Sequence, residues 1–186
     1  MEWLSDCTSE EKGWIEGCGK RHASSQESLF KHFFGFAMGI CLRYLHERPL
    51  SQEAVNDSFL KVFDQLPREL HQIKAFRPWL RKLVIHTAID YFRKEKKHFF
   101  LTDAAAEEAV HQDTFFDRES VEEIMRLLNN LPPLWKVVFN LYEVEGYSHD
   151  EIALMMKIPA SSSRTYLTRA KQQLRILITA QNRTMQ

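Results

Sequence analysis

The stretch from Ala75 to Lys97, AFRPWLRKLVIHTAIDYFRKEKK, places an apolar stripe and a run of cations in one segment. The stripe repeats at i, i+3, i+4, i+7, i+8 and i+11, the spacing of one buried helix face, through Leu80, Leu83, Val84, Thr87, Ala88 and Tyr91. Basic residues outnumber acidic ones on the remaining surface: Arg77, Arg81, Lys82, Arg93, Lys94, Lys96 and Lys97 against Asp90 and Glu95. Such a face favours a polyanionic partner, although many charged helix faces are merely solvated.

The whole chain is formally neutral, so the positive charge of this segment is local. Its 186 residues, 44% of them hydrophobic, predict one large or two small globular domains. No apolar run approaches the roughly 20 residues of a membrane helix, and the N-terminus lacks the order of a signal peptide. We therefore expect a cytoplasmic protein without membrane insertion.

The three cysteines predict free thiols, because their number is odd and no export signal precedes them. Cys18 and His22 stand four apart, as two metal ligands on a helix would. No second tight ligand pair follows, so we predict neither a metal site nor a cofactor.

Three helices are predicted to share the core of a first domain, residues 24–97. Ser24 and Glu27 have the spacing of a capping box and open the first helix. Pro49 separates it from a second helix, which points Val55, Phe59, Val62 and Phe63 inward and ends at Pro67. The basic helix is the third. Residues 1–23 show no clear periodicity and are expected to be a mobile N-terminal extension.

Residues 98–119 are rich in acids and lack a sustained stripe, so they are predicted to be an acidic linker to a second domain, 120–186. Ser120 and Glu123 repeat the capping-box spacing ahead of Val121, Ile124, Leu127, Leu128 and Leu131. A further buried face consists of Leu134, Val137, Val138 and Leu141. Gly146 then suits the left-handed position that ends a helix.

Two helices in helix-turn-helix order follow this glycine. Ser148 and Glu151 cap a short helix, and a turn at Lys157 and Ile158 precedes Pro159. Ser162 is expected to cap the next helix, which turns Leu167, Ala170, Leu174 and Leu177 inward and Arg164, Thr165, Tyr166, Thr168 and Arg169 outward. A helix with exposed arginines and threonines suits the major groove of DNA, whereas an ordinary helical hairpin is the simpler alternative.

Both units together resemble bacterial RNA polymerase sigma factors of the extracytoplasmic-function (ECF) type, within the sigma-70 family. The resemblance extends from Glu27 to Leu177. It rests on AVNDSFLKVF and AFRPWLRKLVIHTAIDYFRK in the first unit and on LPPLWKVVFNLYEVEGYSHDEIALMMKIPASSSRTYLTRAKQQL in the second. It implies an all-α fold with a region 2 bundle of three or four helices and a region 4 helix-turn-helix domain.

The resemblance also implies roles for three groups of residues. The group expected to bind core RNA polymerase is Asn56, Asp57, Leu60 and Lys61. The group expected to bind and melt the minus-ten element of promoter DNA, together with the segment 67–74, is Arg77, Trp79, Lys82, His86, Asp90 and Arg93. The group expected to read the minus-thirty-five element is Ser162, Arg164, Thr165, Tyr166, Thr168 and Arg169. An anti-sigma factor is a further implied partner.

Three positions depart from the family pattern. His86 stands where asparagine is frequent, Ser163 replaces a usual apolar residue, and Tyr166 occupies a position that is often basic. These departures bear on promoter preference rather than on function.

Three other classes of protein account for less of the sequence. A stand-alone helix-turn-helix regulator leaves the basic helix unexplained. A structural helical adaptor explains the stripes but not the placement of the cations. An enzyme is not expected, because no phosphate loop, nucleophile elbow or metal quartet appears, and neighbours such as His149, Asp150 and Glu151 point in different directions.

Overall fold

The structure is a computed structural model that describes residues 4–45, 47–95 and 127–184. The chain divides into two units, Met1–Glu95 and Lys96–Gln186, and each is described by itself. Every regular element of the described ranges is helical, which confirms the all-α prediction. The predicted acidic linker and the predicted cap at Ser120 lie outside these ranges, as do Val121 and Ile124.

Helix α1, Ser9–Gly19, corrects the expectation of a mobile N-terminal extension for residues 4–22. Thr8 and Glu11 form a complete capping box, which satisfies backbone N–H groups at the start of the helix. The helix packs on α2 so closely that a Cβ on Gly17 would lie 2.0 Å from Ser25 Oγ. These residues therefore belong to the first unit.

Helix α2 comprises Ala23–Leu45, and helix α3, Arg48–Glu69, extends beyond both ends of the stretch that the sequence predicts. Helix α2 begins before Ser24, so the predicted cap is wrong, and Glu27 instead pairs with Lys31 one turn later. Helix α3 continues through Pro67, which therefore does not stop it. A 3₁₀ turn, Leu70–Gln72, follows.

Helix α4, Phe76–Glu95, is the predicted basic helix and packs against α2 and α3. Its buried face is broader than the predicted stripe and comprises Phe76, Leu80, Val84, Ile85, Thr87, Ala88, Ile89 and Phe92. Leu83 and Tyr91 are only half-buried. The bundle thus has four helices, and the side chains of α4 outside that broad buried face remain accessible.

The second unit begins, within the described residues, with a helical turn at 127–129 and continues with α5, Pro133–Phe139. A π-helical turn, Asn140–Val144, extends α5, and Gly146 closes the segment at φ 77° as predicted. All four predicted apolar residues of this segment are buried. Leu128, Leu131 and Ala170 form the centre of a cluster that Trp135, Phe139 and Leu174 extend.

Helices α6, His149–Met156, and α7, Ala160–Thr184, form the predicted helix-turn-helix. The capping box of Ser148 and Glu151 is present, and Lys157 takes the left-handed conformation in the turn. Helix α7 begins two residues before Ser162, so Ser162 is not its cap. Ser163 N instead donates to Pro159 O at the start of the helix. None of the described helices is long and apolar enough to cross a membrane.

Candidate nucleic-acid interface

The start of α4 is bonded to residues that precede α1. The carboxylate of Asp6 accepts hydrogen bonds from Phe76 N and Arg77 N, both at 2.8 Å, where the first turn of a helix has unsatisfied N–H groups. Ser5 N also donates to Lys74 O. Burial would raise the pKa of Asp6, but these backbone donors hold it below its usual value. The N-terminal residues therefore fix where α4 begins.

Arg77 is bonded within the protein rather than presented as a free cation. Its guanidinium donates to Asp6 O at 2.6 Å and to Glu11 Oε1 at 2.7 Å, and it lies over the ring of Phe33. Glu11 is only 2% exposed and also bonds His32 Nε2 at 2.9 Å. Burial would raise the pKa of Glu11, yet the bonds from Thr8 N and His32, with the charge of Arg77, lower it. These contacts form a charge cluster in which the carboxylate of Glu11 is buried, Arg77 is half-buried and the ring of His32 is exposed.

The other residues predicted to contact the minus-ten element lie along α4 with different exposure. Lys82 and His86 are exposed, whereas Trp79 is half-buried and donates to Glu69 Oε2 at 3.3 Å. Burial and the charge of Lys82 lower the pKa of His86, which favours the neutral imidazole. Arg93 and Asp90 form an ion pair at 3.4 Å. Lys82 is thus the clearest exposed cation of the predicted group.

The residues predicted to bind polymerase lie along one side of α3. Asn56 and Lys61 are exposed, and Leu60 leaves 66% of its surface in solvent. Asp57 accepts a hydrogen bond from Tyr91 OH at 2.7 Å, which raises the pKa of Tyr91 to about 12 together with burial. Lys61 Nζ donates to Thr87 Oγ1 at 3.0 Å. This side of α3 is therefore hydrogen-bonded to α4 at two points.

Helix α7 turns its predicted reading residues away from the core of the second unit. Arg164, Thr165, Thr168 and Arg169 are exposed, and Ser162 and Tyr166 are half-buried. The hydroxyls of Thr165 and Thr168 donate to backbone carbonyls one turn earlier, which leaves their methyl groups available for apolar contact. On the opposite side Ser163, Leu167 and Ala170 are buried. The division matches the prediction for Leu167, Ala170 and the four exposed residues, but Tyr166, Leu174 and Leu177 are only half-buried, and Ser163 joins the buried side.

Three side-chain contacts join α7 to the preceding elements. His149 Nδ1 lies 2.9 Å from Ser163 Oγ, and Glu143 forms an ion pair with Lys171 at 2.7 Å. The guanidinium of Arg169 lies 5.9 Å from the centre of the Trp135 ring. An apolar pattern does not reveal these contacts, and the departure at Ser163 is the sequence signal for the first of them.

Lys136 is a buried cation that the sequence analysis missed. It is 1% exposed, and its Nζ donates to Asn129 Oδ1 at 2.6 Å. Burial lowers its pKa to about 8. The three cysteines are free thiols, and no group of three or more metal-ligating side chains occurs within residues 4–45, 47–95 and 127–184.

A four-helix bundle with a basic fourth helix and a separate helix-turn-helix unit define an all-α protein of the DNA-binding class. Comparison with known families gives two matches in the same order. The family model for Sigma-70 region 2 matches residues 29–98, and the model for Sigma-70, region 4 matches residues 121–174. The chain belongs to the sigma-70 family of RNA polymerase sigma factors and to its ECF type, which makes it a transcription initiation factor.

Curated relatives are similar over most of their length. The RNA polymerase sigma-H factor of Pseudomonas aeruginosa is 24% identical over 73% of this chain and 76% of its own. RNA polymerase sigma factor YlaC of Bacillus subtilis is 25% identical over 83% and 92%. The ECF RNA polymerase sigma-E factor of Haemophilus influenzae is 26% identical over 73% and 78%. A solved structure, CnrH in complex with the cytosolic domain of CnrY, is 16% identical with a TM-score of 0.48, covering 92% of this chain and 99% of that one.

Proposed function

We propose that the two units divide promoter recognition between them. The first unit docks on core RNA polymerase through α3 and holds the opened minus-ten element along α4. The second unit reads the duplex minus-thirty-five element with α7. The main support for this proposal is that the first turns of α7 expose, opposite a buried face, the side chains of Arg164, Thr165, Thr168 and Arg169. Arginine and threonine on such a surface suit base edges and thymine methyl groups in the major groove.

The contacts that hold α4 in place favour its proposed role in binding unpaired DNA. A site for unpaired bases benefits from a rigid protein surface, and cations on that surface hold the phosphate backbone of the DNA strand. Asp6, the charge cluster around Glu11 and the bonds from α3 fix α4, while Lys82 remains exposed on it. Because Arg77 is engaged by Glu11, Lys82 is the better candidate for a direct contact with the DNA backbone.

The polymerase-binding role is best assigned within α3 to Asn56 and Leu60. Both are exposed, and Leu60 leaves 66% of its surface in solvent, so covering this apolar side chain with a partner would be favourable. Asp57 and Lys61 already bond α4, so changing them also alters the bundle. An anti-sigma factor that covers this side of α3 would block polymerase binding and so inactivate the protein. We propose that binding to polymerase and to the anti-sigma factor both take place in the cytoplasm. No catalytic step by this chain is required.

Capture of purified core polymerase tests the α3 assignment. Leu60→Arg should reduce capture about tenfold or more, because it places a desolvated cation at the centre of the contact. Lys31→Asp, an equally exposed change on α2, is the control and should bind as the unchanged protein does. Equal capture of the two folded variants would remove α3 from the account. Tight duplex binding without polymerase would instead indicate a stand-alone regulator.

A further inference from the structure

The junction of the helix-turn-helix contains a polar contact inside an otherwise apolar stripe. Ser163, Leu167, Ala170 and Leu174 follow the helical spacing i, i+4, i+7 and i+11, and Ser163 is the first and is fully buried. Its hydroxyl lies 2.9 Å from Nδ1 of His149, in the first turn of α6. A buried hydroxyl needs a hydrogen-bond partner, and His149 provides one for Ser163.

The imidazole of His149 is itself held in place. The ring of Tyr142, in the π-helical turn, stacks on it with 4.5 Å between ring centres and an interplanar angle of 23°. The Ser148–Glu151 capping box fixes the backbone on which His149 stands. The hydrogen bond to Ser163 therefore starts from a ring whose position is set by two neighbouring elements.

The hydrogen bond between His149 and Ser163 depends on direction, unlike the apolar contacts around it. Packing of Leu167 and Ala170 allows small rotations of α7 about its axis, whereas a hydrogen bond weakens steeply when its angle changes. Ser163 directly precedes Arg164 in sequence, so a rotation at Ser163 moves the base of the arginine that faces outward. We propose that His149 is a positioning residue that sets the rotation of α7 and thereby the promoter discrimination of Arg164. The inference rests on the proposed duplex-reading role of α7.

The charges around the ring add a dependence on pH. Burial lowers the pKa of His149, the nearby guanidinium of Arg164 on α7 lowers it further, and Asp150 on α6 opposes both. Near neutral pH the imidazole is uncharged. When the pH falls below this lowered pKa, protonation places a second cation beside Arg164. The repulsion should displace the arginine and reduce discrimination, while the added charge strengthens sequence-independent binding to DNA.

The test uses holoenzyme, assembled from this chain and core polymerase, and a promoter selected from a randomised duplex library. The discrimination ratio is the affinity for that promoter divided by the affinity for the same fragment with its upstream element scrambled. His149→Phe keeps a ring for Tyr142 but loses the bond, and Ser163→Ala loses it from the other side. Each should lower the ratio about 2- to 10-fold, and the double variant should be no worse than either single variant.

Two controls separate positioning from a general loss of structure. His149→Asn retains a hydrogen-bonding group near the position of Nδ1, so it should largely restore the ratio and abolish its dependence on pH between about 5 and 7. Thr179→Ala removes another hydroxyl from α7, one that bonds Arg175 O, and should leave the ratio unchanged.

The outcomes distinguish this inference from the function on which it rests. A ratio near one for the unchanged protein would overturn the duplex-reading role itself. A high ratio that His149→Phe and Ser163→Ala leave intact, or one that falls only in parallel with the midpoint of thermal unfolding, would overturn the positioning role alone.

Discussion

The first turn of α4 is held by the carboxylate of Asp6 and by the charge cluster around Glu11, whereas α7 is joined to its neighbours by the histidine–serine bond, an ion pair and a small apolar stripe. Helices α2 and α3 pack against α4, and Arg77 near its start donates to Asp6 O and to Glu11 Oε1. On α7 the arginines point outward. The helix proposed to hold separated strands is thus fixed at its start by charged contacts, whereas the helix proposed to read a groove pairs Lys171 with Glu143 and leaves Arg164 exposed.

The largest expected effect in this comparison follows from removal of the buried carboxylate. Glu11→Ala leaves Arg77 and His32 without their shared acceptor and breaks the capping box of α1. We expect the free energy of unfolding of the first unit to fall by about 2–4 kcal/mol, somewhat below the range for fully buried pairs because Arg77 is half-exposed. Denaturant unfolding of the full chain measures this.

The matched control for that variant is Glu27→Ala, which breaks an exposed ion pair with Lys31 on α2. It should leave the free energy of unfolding unchanged within the error of the measurement, because solvent screens an ion pair this exposed. A similar loss for both variants would mean that the charge cluster does not anchor α4.

The next effect has the opposite sign and lies in the second unit. Lys136→Met should raise the free energy of unfolding of that unit by about 1–3 kcal/mol at neutral pH, because a lysine with its pKa lowered to about 8 keeps its charge at a cost when buried. In the unfolded chain the lysine regains its ordinary pKa of about 10.5, so the unfolded state binds more protons between about pH 8 and 10.5. The free energy of unfolding of the second unit should therefore rise with pH across this window in the unchanged protein, whereas the buried cysteines of the first unit, whose pKa values burial raises, act in the opposite direction on that unit.

The Met variant should lack that rise. Thermal unfolding at several pH values between neutral and alkaline gives both quantities. A variant that is less stable than the unchanged protein at neutral pH would show that the bond to Asn129 outweighs the cost of burying the charge.

A smaller effect tests the hydrogen bond between Asp57 of α3 and Tyr91 of α4. Asp57→Asn removes the negative charge beside Tyr91, so the pKa of Tyr91 should fall from about 12 toward its ordinary value of about 10. Ultraviolet titration of the phenol, compared with a Tyr91→Phe variant that identifies its signal, measures the shift. An unchanged titration would mean that Asp57 and Tyr91 are not bonded in solution.

The sequence predicts best the elements whose signal is local. The Ser148–Glu151 cap, the glycine at 146 and the spacing of apolar residues in α4, α5 and α7 lead directly to helices that the structure contains. The same kind of signal was present at Thr8 and Glu11, where the capping-box spacing marks α1. The acidic composition and weak periodicity of residues 1–23 obscured it.

The contacts that fix the candidate sites are less predictable because they join residues far apart in the chain. Nothing near Asp6 or Glu11 in sequence indicates that they bond Arg77, some 70 positions away. Two of the predicted serine caps are wrong, although the Ser148 cap is right. Ser24 and Ser162 have the right neighbours, but their helices begin one or two residues earlier, after His22 and Pro159, and helix ends are the least certain part of a sequence pattern.

Transcription from a template whose minus-ten region is already unpaired tests the division of labour between α4 and α7 most directly. On an ordinary duplex promoter, Lys82→Ala should impair strand opening but spare recruitment, and Arg164→Ala should impair recruitment, with about 1–3 kcal/mol of site discrimination lost if the arginine contacts a guanine. The pre-melted template should largely rescue Lys82→Ala and leave the defect of Arg164→Ala in place. Equal rescue of both variants, or of neither, would contradict the assignment of melting to the first unit and duplex reading to the second.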